Sequence, residues 1–213
     1  MHKMLHAAVL ALSLLSTPVL AQDAAFGRFL AGLKPEAVAS GVDASTYDAL
    51  TQGLTPDPRV PNLVETQPEF TAPVWDYIET RVTDGRIGRG RAALERNANL
   101  FSTIGQQYGV DPYLLGAIWG IETDYGAVLS NDSLIRPIVR SLATVTYQQR
   151  TRFSEDKADF FAALVLAQRN GGVSPVGSWA GAIGHLQVNP TNVIAHGADG
   201  DGDGRVDLHA SLA

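Results

Sequence analysis

The sequence predicts a mainly α-helical domain, and three features of its 213 residues carry that reading. Apolar side chains recur three and four positions apart through much of the chain, no convincing segment alternates apolar and polar residues, and helix-starting and helix-stopping residues punctuate the periodic runs. Hydrophobic residues make up 45% and charged residues 18% of the chain, which suits one compact domain with a short extension.

The extension is residues 1–21. His2 and Lys3 precede an apolar run from Ala7 to Leu15, and Val19-Leu20-Ala21 places small residues before Gln22, the pattern of a secretory signal cleaved after Ala21. The run is short for a membrane span, and no later stretch reaches the roughly 20 apolar residues a spanning helix needs. The chain has no cysteine, which excludes disulfides, thiolate metal sites, a thiol nucleophile and a lipid-modified cysteine at the cleavage point.

In the mature region Asp43 is placed to cap a short helix running through Leu50. Prolines 56, 58, 61 and 68 then predict an extended surface stretch from Thr55 to Pro68. Helical spacing resumes with Val74, Ile78 and Val82, and a longer helix is predicted from about Arg91 to Gln107 with Leu94, Ala98, Phe101 and Ile104 facing inward, stopped by Tyr108-Gly109. Asp111-Pro112 is an N-cap followed by a first-turn proline, and it opens a helix whose Leu114, Leu115, Ile118 and Ile121 predict a buried face. Ser154, with Glu155 and Asp156 in the first turn, opens another, with a core stripe of Phe160, Phe161, Leu164 and Val165 and a stop at Asn170-Gly171-Gly172.

The chemistry is expected at Glu122, near the end of the helix that Asp111 opens. Flanking Ile, Trp and Ile side chains would desolvate this carboxyl group, raise its pKa and let it carry a proton to a glycosidic oxygen. The residues alone leave open an ordinary helix-end Glu, solvated or paired with an arginine. Asp124 is no natural partner, because residues two apart on a helix point to different sides.

The segment Ile118-Trp119-Gly120-Ile121-Glu122-Thr123-Asp124-Tyr125-Gly126 resembles the catalytic motif of the membrane-bound lytic murein transglycosylase B family. Further segments resemble that family in the same order: Gln67-Pro68-Glu69-Phe70, Arg86-Ile87, Tyr108-Gly109-Val110, Leu142-Ala143-Thr144 and Gly177-Ser178-Trp179-Ala180-Gly181-Ala182-Ile183-Gly184. The resemblance implies a lysozyme-like transglycosylase domain in which Glu122 is the single acid and base. It also implies cleavage of the β-1,4 bond between N-acetylmuramic acid and N-acetylglucosamine without water, giving a 1,6-anhydro sugar. Peptidoglycan strands are the implied partner and the periplasm the implied location.

By the same resemblance Ser178, Gln187 and Tyr125 match residues of the glycan groove, and Arg150 matches an arginine of the Tyr-Asp-x-Arg-Arg region, with a solvated surface role for Arg150 equally open. Val188-Asn189-Pro190-Thr191 follows Gln187 where the family usually has Phe-Met-Pro-Ser, an ending closer to the soluble lytic transglycosylases. Residues 22–213 are expected to hold the catalytic domain, incomplete at its C-terminal end.

Asp199-Gly200-Asp201-Gly202-Asp203-Gly204-Arg205-Val206-Asp207 follows the opening of an EF-hand loop, with oxygen donors at alternating positions and Gly at the sixth. The expected ligands of a structural Ca²⁺ are the side chains of Asp199, Asp201 and Asp203, the carbonyl of Arg205, and Asp207 directly or through water. Ala210 stands at the twelfth position, where an EF-hand has Glu, and a solvated acidic turn remains the alternative. No catalytic cofactor is expected. A formal charge of −6, with sixteen Lys and Arg forming no stripe, argues against nucleic acid. The competing functions are a muramidase that uses water at the same bond and a peptidoglycan-binding remnant without turnover. A monomer is expected.

Overall fold

The computed structural model describes residues 17–60, 72–148 and 152–212. In chain order the helices are α1 (Thr17–Ala39), α2 (Ala44–Thr51), α3 (Val74–Arg81), α4 (Asp84–Arg96), α5 (Ala98–Tyr108), α6 (Pro112–Thr123), α7 (Ile138–Gln148), α8 (Phe153–Arg169) and α9 (Pro190–His196). Two strands of two residues, β1 (Arg136–Pro137) and β2 (Val176–Gly177), pair antiparallel, and both are too short to show an alternating period in the sequence. The signal reading lies mostly outside the described residues, and α1 begins at Thr17, within its last five.

The larger of two hydrophobic cores joins α1, α2, α7, α8 and α9. Phe26 and Leu30, Tyr47, Ile138 and Leu142, and Phe160 and Leu164 are buried there together. α7 is buried on almost every side, so its hydroxyls must find partners inside. Thr146 and Thr144 donate to the carbonyls of Leu142 and Arg140 at 2.7 and 2.8 Å. Tyr47 donates to the Leu30 carbonyl at 2.6 Å, and burial, with Asp48 as a second cause, pushes its hydroxyl up to about 12. The α8 stripe sits where its spacing predicts, with Val165 half-buried.

The smaller core is built by α4, α5 and α6 around Ala93, Phe101 and Trp119. Phe101 and Trp119 stack at 5.9 Å between ring centres. The predicted long helix over 91–107 is two helices here. Asn97 leaves helical geometry at φ −112° and ψ 21°, and its side-chain amide donates to the Ala93 carbonyl at 2.8 Å. An Asn offering the backbone such an alternative bond is a usual place for a helix to break. Ala98 is exposed as a result, whereas Phe101 is buried. Gly109 ends α5 in the left-handed conformation, and Asp111 caps α6 by accepting from the Tyr113 amide at 2.8 Å.

The inward face of α6 reverses the expectation. Leu114, Ile118 and Ile121 are exposed, and Gly116, Trp119, Gly120 and Thr123 are buried. Glycine provides the inward face with room for neighbours: a methyl added at Gly116 would stand 2.7 Å from Leu94 of α4, and one at Gly120 would run into the Tyr125 hydroxyl. The period was read from bulky apolar residues, while burial followed the small ones. α3 forms as its spacing predicts but buries none of its side chains. Asp43 occupies the N-cap position of α2 without a side-chain cap bond, and its amide donates to the Gln168 side chain instead at 2.7 Å.

The extended stretch is anchored at its start by a buried ion pair. Arg136 at β1 donates through Nη1 to Asp57 Oδ2 at 3.1 Å and through Nη2 to the Ser133 carbonyl at 2.9 Å. Both side chains are only 7% exposed. Burial pushes the Asp57 carboxyl up, but the Arg59 amide and the Arg136 and Arg59 guanidiniums outweigh it and hold the group below its ordinary value. The rest of the stretch, with Gln67-Pro68-Glu69-Phe70, lies outside the described residues.

Arg136→Met should cost about 3–5 kcal/mol, because it leaves Asp57 buried without its counter-charge. By thermal unfolding at pH 7 the midpoint should fall by roughly 10 °C. A folded-state carboxyl held low stabilises fully above its unfolded value and less as pH falls through the folded one. The difference between wild type and variant should therefore narrow below about pH 4. A midpoint that does not move at pH 7 would contradict the role given to this pair.

Candidate active site

The C-terminal end of α6 carries Glu122, next to last in the helix. Its side chain is exposed, not embedded among Ile118, Trp119 and Ile121, so the expected desolvation by those neighbours does not occur. The cause is the reversed face of α6, which turns Trp119 inward and both isoleucines outward.

Beyond Thr123 the chain reverses through three consecutive residues with positive φ: Asp124 at 50°, Tyr125 at 60° and Gly126 at 87°. Two of them are not glycine, and aspartate tolerates this region better than most. Arg89 holds the Asp124 carboxylate through Nη2 and Nε at 2.9 and 3.1 Å, and Arg86 Nε stands 3.5 Å away. Both arginines come from α4, so the turn after Glu122 is fastened to the neighbouring helix by charge. Asp124 lies past the helix end, where the helix spacing used to set it apart from Glu122 no longer applies, and its carboxylate is taken up by the two arginines.

Thr123, fully buried, links the helix end to the second half of the site. Its hydroxyl donates to the His185 carbonyl at 2.8 Å and accepts from the Gly126 amide at 3.2 Å. Residues 183–188 form a tight hairpin in which Ile183 and Val188 exchange backbone bonds at 2.8 and 3.0 Å. Gln187 sits on this hairpin with φ 49°, and its side-chain amide donates to the Gly184 carbonyl at 3.0 Å, which leaves Oε1 as an acceptor. The Thr123 bond therefore brings the hairpin of Gln187 to the end of the helix that carries Glu122. Ser178 lies just upstream, where its hydroxyl accepts from the Ala182 amide at 3.1 Å and shapes the Gly-rich turn.

Tyr125 takes a packing position. Its hydroxyl end lies where side chains at Gly90 or Gly120 would stand, and its ring is edge-on to Trp119 at 5.4 Å. It braces the helix end from within the smaller core. Arg150 lies outside the described residues.

His185 was not singled out by sequence reasoning, although it stands two positions before Gln187, which was expected in the glycan groove. Its Nδ1 accepts from the Trp119 indole N–H at 3.0 Å, and the two rings meet edge to face at 5.6 Å. The only local signal was a polar ring bordered by Gly and Leu, and the ring's partner Trp119 lies sixty-six residues away in sequence.

In the acidic loop Asp199, Asp201 and Asp203 converge, with carboxylate oxygens within 4.8 Å of one another. Asp199 accepts from the amides of Gly202, Asp203 and Gly204 at 2.7, 3.1 and 2.7 Å, and these bonds, that of Gly204 foremost, hold its carboxyl below the ordinary value. Asp207 does not join the cluster. Its carboxylate accepts from the amides of His209 and Ala210, both at 2.9 Å, and closes the following turn. Three carboxylates form a hard oxygen set that fits Ca²⁺, with Ala210 contributing no twelfth-position ligand. The Arg205 amide donates to Asp203 at 2.8 Å, which keeps Arg205 within the same loop.

Among the described residues no helix is long and apolar enough to cross a membrane. The family model "Transglycosylase SLT domain" matches residues 25–213. Membrane-bound lytic murein transglycosylase B of Escherichia coli K12 is 25% identical over 134 residues, which are 62% of this chain and 36% of that protein. SltB3 from Pseudomonas aeruginosa, solved in complex with NAG-anhNAM-pentapeptide, is 38% identical with a TM-score of 0.75, covering 87% of this chain and 49% of its own. The Escherichia coli lytic transglycosylase Slt35, solved in complex with calcium, shares the fold at 22% identity and a TM-score of 0.67, covering 86% of this chain and 57% of its own. The chain thus spans between about a third and three fifths of the length of these relatives. Its helical architecture is the lysozyme-like one of the lytic transglycosylases, and the chain belongs to the transglycosylase SLT domain family.

Proposed function

We propose that this chain is a murein lytic transglycosylase that cleaves the β-1,4 bond between N-acetylmuramic acid and N-acetylglucosamine. The observation that carries the reading is the match, at 38% identity, to an SltB3 structure holding an anhydro-muramyl product. In the proposed reaction the Glu122 carboxyl gives its proton to the glycosidic oxygen as the bond to the anomeric carbon breaks. Its carboxylate then takes the proton of the muramic acid C6 hydroxyl while that oxygen closes on the anomeric carbon.

One carboxylate suffices because the nucleophile belongs to the substrate, whereas water-using glycosidases employ two. The binding of Asp124 by Arg89 and Arg86 supports the one-carboxylate scheme. The exposure of Glu122 assigns its desolvation to the bound sugar strand, which would cover the helix end. Gln187, with its free acceptor, and Ser178 are proposed to orient the strand, and Tyr125 to hold the helix end from below. The pattern in residues 1–21 supports export to the periplasm.

The acidic loop is proposed to hold a structural Ca²⁺ through Asp199, Asp201 and Asp203, with water completing its shell. The bound ion would neutralise clustered carboxylates and stiffen the loop. The calcium complex of Slt35 supports the choice of ion.

Incubation with purified sacculi should release muropeptides whose anhydro ends are lighter by one water than reducing ends, as read by mass spectrometry. Glu122→Gln should lower the release rate by about 10²–10⁴-fold, the usual worth of a positioned acid and base. Products with reducing ends would favour the muramidase, and binding to sacculi without release would favour the non-catalytic remnant.

For the loop, a weak site with Kd of about 1 mM at about 10 mM calcium supplies about 1.4 kcal/mol. The thermal midpoint should then rise by roughly 3–6 °C, and the rise should vanish in Asp199→Asn. A midpoint indifferent to calcium would rule out a working site.

A further inference from the structure

We infer that His185 is a positioning residue for Glu122: it locks the end of α6 against the hairpin of Gln187 through its ring, its carbonyl and its amide at once. This assignment rests on the proposed transglycosylase reaction and adds to it the part that holds the acid in place.

Three attachments converge on the residue. Its ring nitrogen Nδ1 accepts the indole N–H of Trp119, three positions before Glu122, at 3.0 Å. Its carbonyl accepts the hydroxyl of Thr123, the residue after Glu122, at 2.8 Å. Its amide donates to the Leu208 carbonyl at 2.9 Å, which ties the same point to the chain just beyond the acidic loop. Trp119 and Thr123 are a turn apart on the buried face of α6, so the two bonds fix both the rotation and the advance of the helix end.

The fit around the imidazole is close. Gly126, at φ 87°, presents no side chain to the ring, and a methyl there would stand 2.6 Å from Cε1. Packing alone does not fix Trp119. A cavity of about 340 Å³, lined by Leu100, Phe101, Leu115 and Leu212, borders the indole as well, and the indole N–H is anchored on His185. Burial, with His209 as a second cause, pulls the imidazole below its ordinary value, which favours the neutral ring with its proton on Nε2 and Nδ1 free to accept.

The consequence follows from what an acid catalyst needs. Glu122 lies between Trp119 and Thr123 on α6, so the direction in which its side chain leaves the helix is set by the helix end that their two bonds to His185 fix. A displacement of about 1 Å at a reacting group lowers rates by on the order of 100-fold. Because the attachment bears on aim and not on the strand's own contacts, loss of the bond should appear in kcat and not in KM.

The test uses the full chain with sacculi, comparing wild type, His185→Phe, His185→Asn and Trp119→Phe after circular dichroism has established folding. His185→Phe keeps the ring and loses the acceptor, and Trp119→Phe loses the donor from the other side. Both should lower kcat by on the order of 100-fold with KM within about twofold of wild type. His185→Asn, whose Oδ1 can take the place of Nδ1, should recover most of the rate. A kcat that stays near wild type in both ring variants, a rise in KM instead of a fall in kcat, or an asparagine variant as slow as phenylalanine overturns the assignment.

A second readout needs no turnover. The Glu122 carboxyl carbon, labelled with ¹³C and assigned by its loss in Glu122→Gln, should titrate with a shifted midpoint in His185→Phe and an unshifted one in His185→Asn. If wild type releases no muropeptides, the proposed reaction fails, and the carbon titration alone decides whether His185 positions Glu122. Identical titrations in all variants overturn it.

Discussion

The arrangement depends on a polar seam between two hydrophobic cores. The smaller core delivers Trp119 and Thr123 on one face of α6, and the hairpin of residues 183–188, rooted in the larger core through Ile183, delivers His185. Apolar packing is non-directional, so two cores could slide past one another at small cost. Hydrogen bonds at 2.8 and 3.0 Å across the seam remove that freedom. Glu122 stands between the two residues that make those bonds, which gives an exposed side chain a defined origin.

The same seam explains why the turn after Glu122 tolerates an uncommon backbone. Left-handed Asp124 and Tyr125 each cost something relative to glycine. The two α4 arginines around Asp124 and the insertion of Tyr125 beside Gly90 and Gly120 offset that cost. Tyr125, half-buried and expected from sequence to face the sugar strand, also fills the space that Gly90 and Gly120 leave open.

Much of the fold was legible where physics is local. The cap at Asp111, the stop at Gly109 and the stripe of α8 depend on residues within one turn of each other, and all three appear where their spacing places them. The break at Asn97 was missed because its neighbours keep the helical period across it. The burial of α6 was reversed because a glycine face sends no hydrophobic signal, although it is the face that lets α4 and Tyr125 approach. At the site, Glu122 and Gln187 stand on ordered motifs, but the bond joining their segments spans sixty-two positions and has no local signature. The acidic loop was legible in its three alternating aspartates. The use of Asp207 as the cap of the next turn was not, because the same residue type serves both purposes.

The beginning of α9 is closed from outside. Asn189 stands at its N-cap without a side-chain cap bond, and Asp159 of α8, buried in the larger core, accepts from the amide and hydroxyl of Thr191 at 3.1 and 2.7 Å. A helix of seven residues cannot persist alone in water. α9 is thus a dependent element: the amide and hydroxyl in its first turn are satisfied by a single carboxylate that α8 supplies. Proline at position 190 settles the direction in which the chain enters that turn, so little conformational search remains once the acceptor is present.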